Sequence, residues 1–225
     1  RDSYKRFPGD RVRFAELVAL AEKGEITTPS GDVVCPSRLR SLGHLLGASG
    51  GAEKLHYLLE YPHTSRAFRH DLAELLPYGG RNPLYAVIHE SSYADGVVTN
   101  WSAARMLPND FREDPTLLTG EHVMPEWFDT DQELRPWKEV ANLIANHPWP
   151  KLYDPDVLRT AEVPCAAAVY HDDAYVPREF SVETAALLPQ MHAWVTTEYE
   201  HNGSNASGGA VLDRLIKLAK GEIVR

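Results

Sequence analysis

The fold is decided by one stretch near the end of the chain, VPCAAAVYHDDAYVP, at residues 163–177. Its apolar half, from Val163 to Tyr170, has the length and composition of a short buried strand. The polar half, from His171 to Pro177, follows as a loop that carries two adjacent acids. A buried strand followed by a polar loop is typical of α/β proteins, which place functional residues at the carboxyl ends of parallel strands.

The segments that follow repeat this order. Residues 178–188 predict a helix, residues 193–199 (AWVTTEY) alternate like a strand, and residues 200–209 form a polar loop. Residues 210–220 predict an amphipathic helix with its apolar side chains on one face. This βαβα order predicts two parallel strands joined by a right-handed crossover. Because two strands do not make a stable open sheet, the region looks like the end of a larger sheet.

The first 150 residues have a different, helical periodicity. Apolar side chains recur every three or four positions, and Gly or Pro residues separate the periodic segments. The predicted helices cover residues 11–22, 36–46, 52–60, 65–76, 83–93, 101–107 and 134–146. Polar connections are predicted at residues 108–116 and 129–133. The chain is therefore predicted to be mainly α with a small α/β part, in two domains at residues 1–150 and 151–225.

Composition argues against several classes of protein. The 225 residues are 43% hydrophobic and 24% charged, which are ordinary values for a folded globular chain. The net charge of −9 argues against a nucleic-acid-binding surface. No apolar run is long enough to span a membrane, and Cys35 and Cys165 form neither a CxxC pair nor a disulfide framework. The opening RDSYKRFPGD is not an apolar signal segment, so we expect a cytoplasmic protein.

The two loops of the α/β part carry a carboxylate and an imidazole in comparable positions. Asp173 follows the first strand, and His201 follows the second, 28 residues later. Adjacent parallel strands would bring the two side chains together, and an Asp bonded to a His ring is the orienting half of a Ser-His-Asp triad. Two polar loop residues are also often merely solvated, so the spacing alone leaves both interpretations open. The adjacent acids Asp172 and Asp173 also suggest a cation site, but no further carboxylates cluster nearby.

A triad also needs a nucleophile, and one GxSxG match is present at residues 47–51, with Ser49 as its serine. The segment before it has helical periodicity, whereas a nucleophile elbow follows a strand. A helix stop between two helices therefore explains these glycines better. His89 and Glu90 begin like a zinc-binding HExxH motif, but Tyr93 replaces its second histidine.

Several segments together resemble proline iminopeptidases, which are α/β-hydrolase serine peptidases that remove an N-terminal proline. The resemblance rests on VPCAAAVYHDDAYVP, WVTTEYEHNG and GGAVLDRLIKLAKGE, and on LGHLLGASGGAEKLHYLLE, NPLYAVIHESSYADG, TGEHVMPEWF and PWPKLYDP. It covers most of the chain and is weakest over the first 30 or so residues. It implies a helical cap domain at residues 1–150, followed by a βαβα remnant of an α/β-hydrolase sheet at residues 151–225.

The resemblance also implies roles for individual residues. Asp173, in a D-x-x-V-P arrangement, matches the triad acid, with Asp172 as the less favoured choice, and His201 in EHNG matches the triad base. Glu90 of IHESSY and Glu121 of TGEHVMP resemble the two acids that bind the substrate's free amino terminus. Carboxylates suit that role because a prolyl amino terminus is a cationic secondary amine with two protons to donate.

Further expectations concern the substrate and the completeness of the site. The resemblance implies the C-terminal part of an enzyme that acts on peptides with an N-terminal proline, with no metal or organic cofactor. Trp127, Phe128 and Tyr93 are candidates for packing on the proline ring. Because the family's serine elbow and oxyanion hole precede the cap, this chain alone is predicted to be inactive.

Two alternative functions, and the partner that covers the edge of the first strand, remain open at this point. A binding module could hold proline or an N-terminal peptide without cutting it, and a hydrolase of the same fold could have a different acyl specificity. The edge of the first strand, around residues 166–170, is predicted to be covered by the N-terminal half or by a second copy of the chain in a homo-oligomer. Neither a nucleic acid nor a membrane is expected as a partner.

Overall fold

A computed structural model describes residues 2–78 and 82–224 of the chain. The chain divides into two compact units. The first unit comprises Arg1–Leu45 and Ala52–Leu152, and the second unit comprises Leu46–Gly51 and Tyr153–Arg225. Residues 46–51 therefore join the second unit, although they lie in the middle of the predicted helical domain. The interpretation of the two parts as a cap and a hydrolase core stays a prediction.

The first unit is built from helices. It holds, wholly or in large part, α1 (Asp2–Arg6), α2 (Asp10–Glu22), α3 (Pro36–Arg40), α4 (Gly51–Glu60), α5 (Arg66–Leu75), α6 (Pro83–Ile88), α7 (Ser102–Arg105), α8 (Asn109–Glu113), α9 (Trp127–Thr130) and α10 (Lys138–Ala145). Tighter 3₁₀ helices occupy Ser41–Gly47, His89–Tyr93 and Arg135–Trp137.

Local sequence signals explain where several of these helices begin. Pro36 and Pro83 stand at the start of α3 and α6, where the missing N–H of proline removes a donor that a helix leaves unpaired anyway. Ser65 caps α5, since its hydroxyl accepts a hydrogen bond of 3.1 Å from the backbone N–H of Phe68. The 3₁₀ turns continue the periodicity of α3 and α6 in a tighter form.

One buried cluster in the first unit surrounds two adjacent aromatic residues. Trp127 and Phe128 have no exposed surface and pack with Val123, Leu134 and Ala141. Trp127 also donates a hydrogen bond of 2.9 Å from its indole N–H to the hydroxyl of Ser37. The apolar face of the Trp127 ring is therefore packed and its N–H group is hydrogen-bonded, both within the first unit.

The second unit contains the sheet. Its elements are α11 (Pro155–Arg159), β1 (Cys165–Tyr170), α12 (Arg178–Leu187), β2 (Met191–Thr196), α13 (Gly203–Ala206) and α14 (Ala210–Ala219). β1 and β2 pair in parallel, with a register that runs from Cys165 opposite Met191 to Tyr170 opposite Thr196. The predicted order of strand, helix and parallel strand is confirmed.

The structure corrects several predicted boundaries. β2 runs from Met191 to Thr196, whereas the predicted strand covered residues 193–199. The predicted end is too late because the alternating pattern continues past the last paired residue. The predicted loops at 108–116 and 200–209 contain the one-turn helices α8 and α13. α11 was not predicted, although Asp154 caps it by accepting from the N–H groups of Asp156 and Val157.

The chain is thus mainly helical with a small parallel sheet, as predicted, and is consistent with part of an α/β-hydrolase. The arrangement of a cap followed by a sheet remnant stays a proposal. Within residues 2–78 and 82–224, no helix is both long and apolar enough to cross a bilayer.

Candidate active site

Asp173 and His201 meet beyond the carboxyl ends of the two parallel strands. The Nδ1 atom of His201 lies 2.9 Å from Oδ2 of Asp173. The Asp173 side chain is 6% exposed, whereas the imidazole is 43% exposed. A buried carboxylate therefore holds one edge of a ring whose other edge reaches solvent.

The local backbone fixes the orientation of Asp173. Its Oδ1 atom accepts hydrogen bonds from the backbone N–H groups of Tyr175, at 2.8 Å, and Val176, at 3.1 Å. An aspartate that bonds the backbone two and three residues ahead is a common way to build a tight turn. These bonds occupy Oδ1 and leave Oδ2 for the histidine.

This contact selects a tautomer of His201. A carboxylate can only accept a hydrogen bond, so the Asp173 contact places the imidazole proton on Nδ1 and leaves Nε2 as a proton acceptor. The ring of Tyr175 meets the imidazole edge to face, with 4.7 Å between ring centres and an angle of 83° between the ring planes. Together these contacts orient a base, which is the arrangement that triad chemistry requires.

Asp172 takes no part in this pair. It is 87% exposed and lies 3.0 Å from Nδ1 of His171 instead. Nε2 of His171 in turn contacts the guanidinium of Arg178 at 2.6 Å. The structure brings Asp173 rather than Asp172 to His201, although the catalytic role of either residue stays a prediction.

Ser49 lies in the second unit but is not bonded to the imidazole. Both its backbone N–H and its hydroxyl donate to Oδ1 of Asn202, each at 3.1 Å. The GxSxG segment follows the 3₁₀ helix Ser41–Gly47 and leads into α4. A stop between helices was the predicted explanation for its glycines, and the observed elements agree with it.

Glu90 is a buried acid in the first unit. Only 2% of its surface is exposed, and its Oε2 atom accepts a hydrogen bond of 3.3 Å from the backbone N–H of Ser102. The two residues before Ser102 adopt left-handed backbone conformations, with φ of 45° at Asn100 and 56° at Trp101. Such strained residues commonly occur at functional sites, and here they precede the amide that contacts Glu90.

Glu121 is more exposed than Glu90 and is surrounded by tyrosine hydroxyls. Its Oε1 atom accepts from the hydroxyl of Tyr85 at 3.0 Å, and its backbone carbonyl accepts from the hydroxyl of Tyr93 at 3.3 Å. Burial first, and then Glu121, raises the pKa of Tyr85 and of Tyr93 above the usual value, so both hydroxyls stay protonated donors. Glu121 also lines a cleft of about 300 Å³ whose walls include Met106, Phe111 and Met124.

His89, next to Glu90, was considered in the sequence only as the start of an HExxH-like motif, and its burial was not predicted. His89 is 2% exposed, and neither of its ring nitrogens has a hydrogen-bond partner. Its ring centre lies 5.2 Å from those of Tyr78 and Tyr93. Burial lowers the pKa of His89, while Glu121 and Glu90 both oppose that shift. Both predicted amine-binding acids therefore act on the same imidazole, which no sequence signal indicated.

The aromatic residues proposed for the proline ring divide into two groups. Trp127 and Phe128 lie in the core with no exposed surface, so the structure does not place them against a substrate. Tyr93 is 56% exposed and contacts Glu121. In the part of the chain that the structure describes, no group of three or more His, Cys, Asp or Glu side chains could hold a metal ion.

Comparison with known proteins gives a class for these residues. No protein-family profile matches the chain. Two curated proteins match nearly all of it, and both are peptidases by name, with specificity for proline.

These relatives are both named proline iminopeptidases. The protein from Aeromonas sobria is 36% identical over 232 residues, which cover 97% of this chain and 53% of that protein. Proline iminopeptidase aneH from Aspergillus aculeatus is 24% identical over 233 residues, which cover 98% of this chain and 52% of that protein. The chain thus spans about half the length of the curated relatives it matches. The predicted resemblance to proline iminopeptidases is confirmed.

Proposed function

We propose that this chain is the C-terminal part of a serine peptidase that releases proline from the amino terminus of peptides. The observation that carries the proposal is the 2.9 Å contact between Asp173 and His201, at the carboxyl ends of two parallel strands. The similarity to two proline iminopeptidases over nearly the whole chain supports it.

In this proposal His201 acts as the base of the complete enzyme. Nε2 of His201 takes the proton of the serine hydroxyl as the serine oxygen attacks the carbonyl carbon of the N-terminal proline. Asp173 stabilises the imidazolium that forms and keeps the ring in place. The imidazolium then gives its proton to the leaving amine of the second residue. Water, deprotonated in turn by His201, releases proline from the resulting ester.

Glu90 and Glu121 are proposed to bind the substrate's ammonium group. Hydrogen bonds between ionised partners are stronger than neutral ones, so two carboxylates can select a free amino terminus. A blocked or internal amine would leave buried Glu90 without its cation, which favours an exopeptidase. Tyr85, which donates to Glu121, keeps that carboxylate in one orientation.

The nucleophile is proposed to come from residues outside this sequence. Ser49 is the one serine in a GxSxG setting, and its hydroxyl donates to Asn202 rather than to His201. It also lies between two helices, whereas a nucleophile elbow joins a strand to a helix. We therefore expect no prolyl peptidase activity from these 225 residues alone.

The surface of the second unit supports the view that more of a sheet packs against it. A two-stranded sheet is marginally stable by itself. Apolar side chains on α12, β2 and α14 remain exposed, including Phe180 at 63%, Val195 at 47% and Leu212 at 58%. We propose that further strands of the same protein cover this surface and the free edge of β1. A homodimer of the isolated chain, detected by light scattering, would favour a second copy instead.

A prolyl p-nitroanilide assay tests the proposed function. We expect no release of nitroaniline by the chain alone, and release once it is joined to, or mixed with, the N-terminal half of the Aeromonas sobria relative. Turnover by the chain alone that disappears in Ser49→Ala would contradict the missing-nucleophile argument. Saturable prolinamide binding without turnover in either preparation would favour a binding module, and turnover only of other acyl groups would favour a different hydrolase.

A second experiment tests the two acids in the active preparation. Glu90→Gln and Glu121→Gln each remove a charge from the amine site, so we expect KM for prolyl p-nitroanilide to rise by about 10- to 150-fold. Glu139→Gln, which changes an exposed glutamate on α10, is the matched control and should leave KM unchanged. An unchanged KM in both variants would remove Glu90 and Glu121 from the proposed site.

A further inference from the structure

The GASGG segment has no role in the chemistry proposed above, yet it lies against the catalytic histidine. We call residues 46–51 the glycine–serine loop. It belongs to the second unit together with Asp173 and His201, although it is far from both in sequence. Its contacts within that unit indicate a use for the segment that the GxSxG pattern does not suggest.

Three hydrogen bonds connect the glycine–serine loop to His201 and to the next residue, Asn202. The backbone N–H of His201 donates to the carbonyl of Gly47 at 3.2 Å. The amide oxygen of Asn202 accepts from both the N–H and the hydroxyl of Ser49, each at 3.1 Å. An amide oxygen accepts two hydrogen bonds, so Ser49 satisfies the acceptor capacity of Asn202.

Gly47 also allows a close aromatic contact beside the imidazole. A Cβ atom at this position would lie 2.4 Å from Cζ of Tyr175, so the tyrosine ring would have to move to accommodate it. Tyr175 lies edge to face with the ring of His201, and its backbone N–H bonds to Asp173. The absence of a side chain at Gly47 therefore lets one tyrosine contact the loop and the imidazole together.

We propose that Gly47 and Ser49 are positioning residues for His201, and that the GxSxG match is a brace for the triad base rather than a nucleophile elbow. The loop holds the backbone of His201 and Asn202, while Asp173 and Tyr175 hold the ring. The catalytic consequence rests on the proposed function, but the brace itself is measurable in the chain without activity.

Amide hydrogen exchange measures the first part of the brace. Asn202→Ala removes the acceptor of both Ser49 donors, so the His201 amide should exchange faster by about 2- to 13-fold, as expected for the loss of an ordinary hydrogen bond. Ser49→Ala should have a smaller effect, since its N–H still donates, and Ser49→Thr should restore the original rate. Asn205→Ala, at an exposed position of α13, is the matched control.

The tautomer of His201 tests whether the glycine–serine loop also fixes the position of the ring. A loop with only a structural role would not change this tautomer. In ¹⁵N spectra of the unmodified chain we expect the proton on Nδ1 of His201. Gly47→Ala and Asn202→Ala should increase the fraction protonated on Nε2, while Asn205→Ala should not. Unchanged exchange and an unchanged tautomer in Asn202→Ala and Gly47→Ala would overturn the proposal, and so would turnover by the chain alone that requires Ser49.

The complete protein separates the brace from the proposed function. If both the positioning role of the loop and the proposed function are correct, Asn202→Ala lowers kcat for prolyl p-nitroanilide and leaves KM unchanged. The reason is that the base is displaced while the amine site is intact. Faster exchange in a complete protein that does not hydrolyse prolyl substrates would keep the brace and reject the proposed function.

Discussion

Replacing Asp173 by Asn or by Ala separates the two tasks of its carboxylate. Oδ1 anchors the turn through Tyr175 and Val176, and Oδ2 holds the imidazole of His201. Asn keeps an oxygen for the two backbone donors but presents an NH₂ group to the ring. Ala removes both functions. The pair of variants therefore distinguishes a loss of charge from a loss of the turn.

The expected magnitudes follow from these three hydrogen bonds. Bonds to a charged group contribute about 1.5–3 kcal/mol each, and solvent can replace part of that at the half-buried turn. We expect Asp173→Ala to destabilise the second unit by about 2–4 kcal/mol, and Asp173→Asn by about 1 kcal/mol. Amide exchange in β1 and β2 reports opening of this unit, and its rates should rise by about 30- to 900-fold in Asp173→Ala and about fivefold in Asp173→Asn.

The histidine tautomer provides the chemical test. An NH₂ group donates a hydrogen bond, so Asp173→Asn should move the imidazole proton from Nδ1 to Nε2. In the complete protein that tautomer cannot act as the base, and kcat should fall by about 10⁴-fold, as it does in a serine-protease triad. Wild-type exchange rates in Asp173→Ala, or a proton that stays on Nδ1 in Asp173→Asn, would refute this reasoning.

Two further predictions concern the first unit and the end of β1. Burial lowers the pKa of His89 below its ordinary value of 6.5; the unfolded chain then binds the proton more readily, so the free energy of unfolding should fall as the pH drops below about 6.5. His89→Gln should flatten this dependence in urea unfolding between pH 5 and 8, and an unchanged slope would contradict the assignment. Gly203→Ala would place a Cβ atom 2.4 Å from the Tyr170 hydroxyl oxygen, which should destabilise the second unit by about 1–3 kcal/mol. Gly120→Ala, where the added Cβ meets nothing within 4 Å, is its control, and equal urea midpoints for the two variants would reject the close contact.

The parts of the fold that depend on local pattern were predictable from the sequence. The apolar run before His171 and the alternation before Glu200 identify two strands, and their order along the chain fixes parallel pairing. The contact between Asp173 and His201 follows from that pairing, because both residues succeed the ends of neighbouring strands. The end of β2 was harder to predict, because the alternating pattern continues beyond Thr196, where the strand pairing stops.

Contacts between distant segments were not predictable in the same way. Nothing in GASGG indicates that its carbonyl and hydroxyl groups contact residues some 150 positions later, because such bonds depend on tertiary structure alone. The burial of His89 was not predicted for a similar reason: an isolated histidine shows no periodic signal, and its packing among tyrosines depends on tertiary structure.

The membership of residues 46–51 in the second unit has a consequence for synthesis and for truncation. Ser49 and Asn202 are 153 residues apart, and a ribosome adding about 5–20 residues per second needs roughly 8–30 s to make that length. During this interval the loop has been made, but the residues it will contact have not. The second unit can therefore complete its folding only after translation has passed Asn202. A truncated gene that starts at residue 153 would encode the two strands without the segment that holds His201, and we expect its product to fold less well than the same unit within the whole chain.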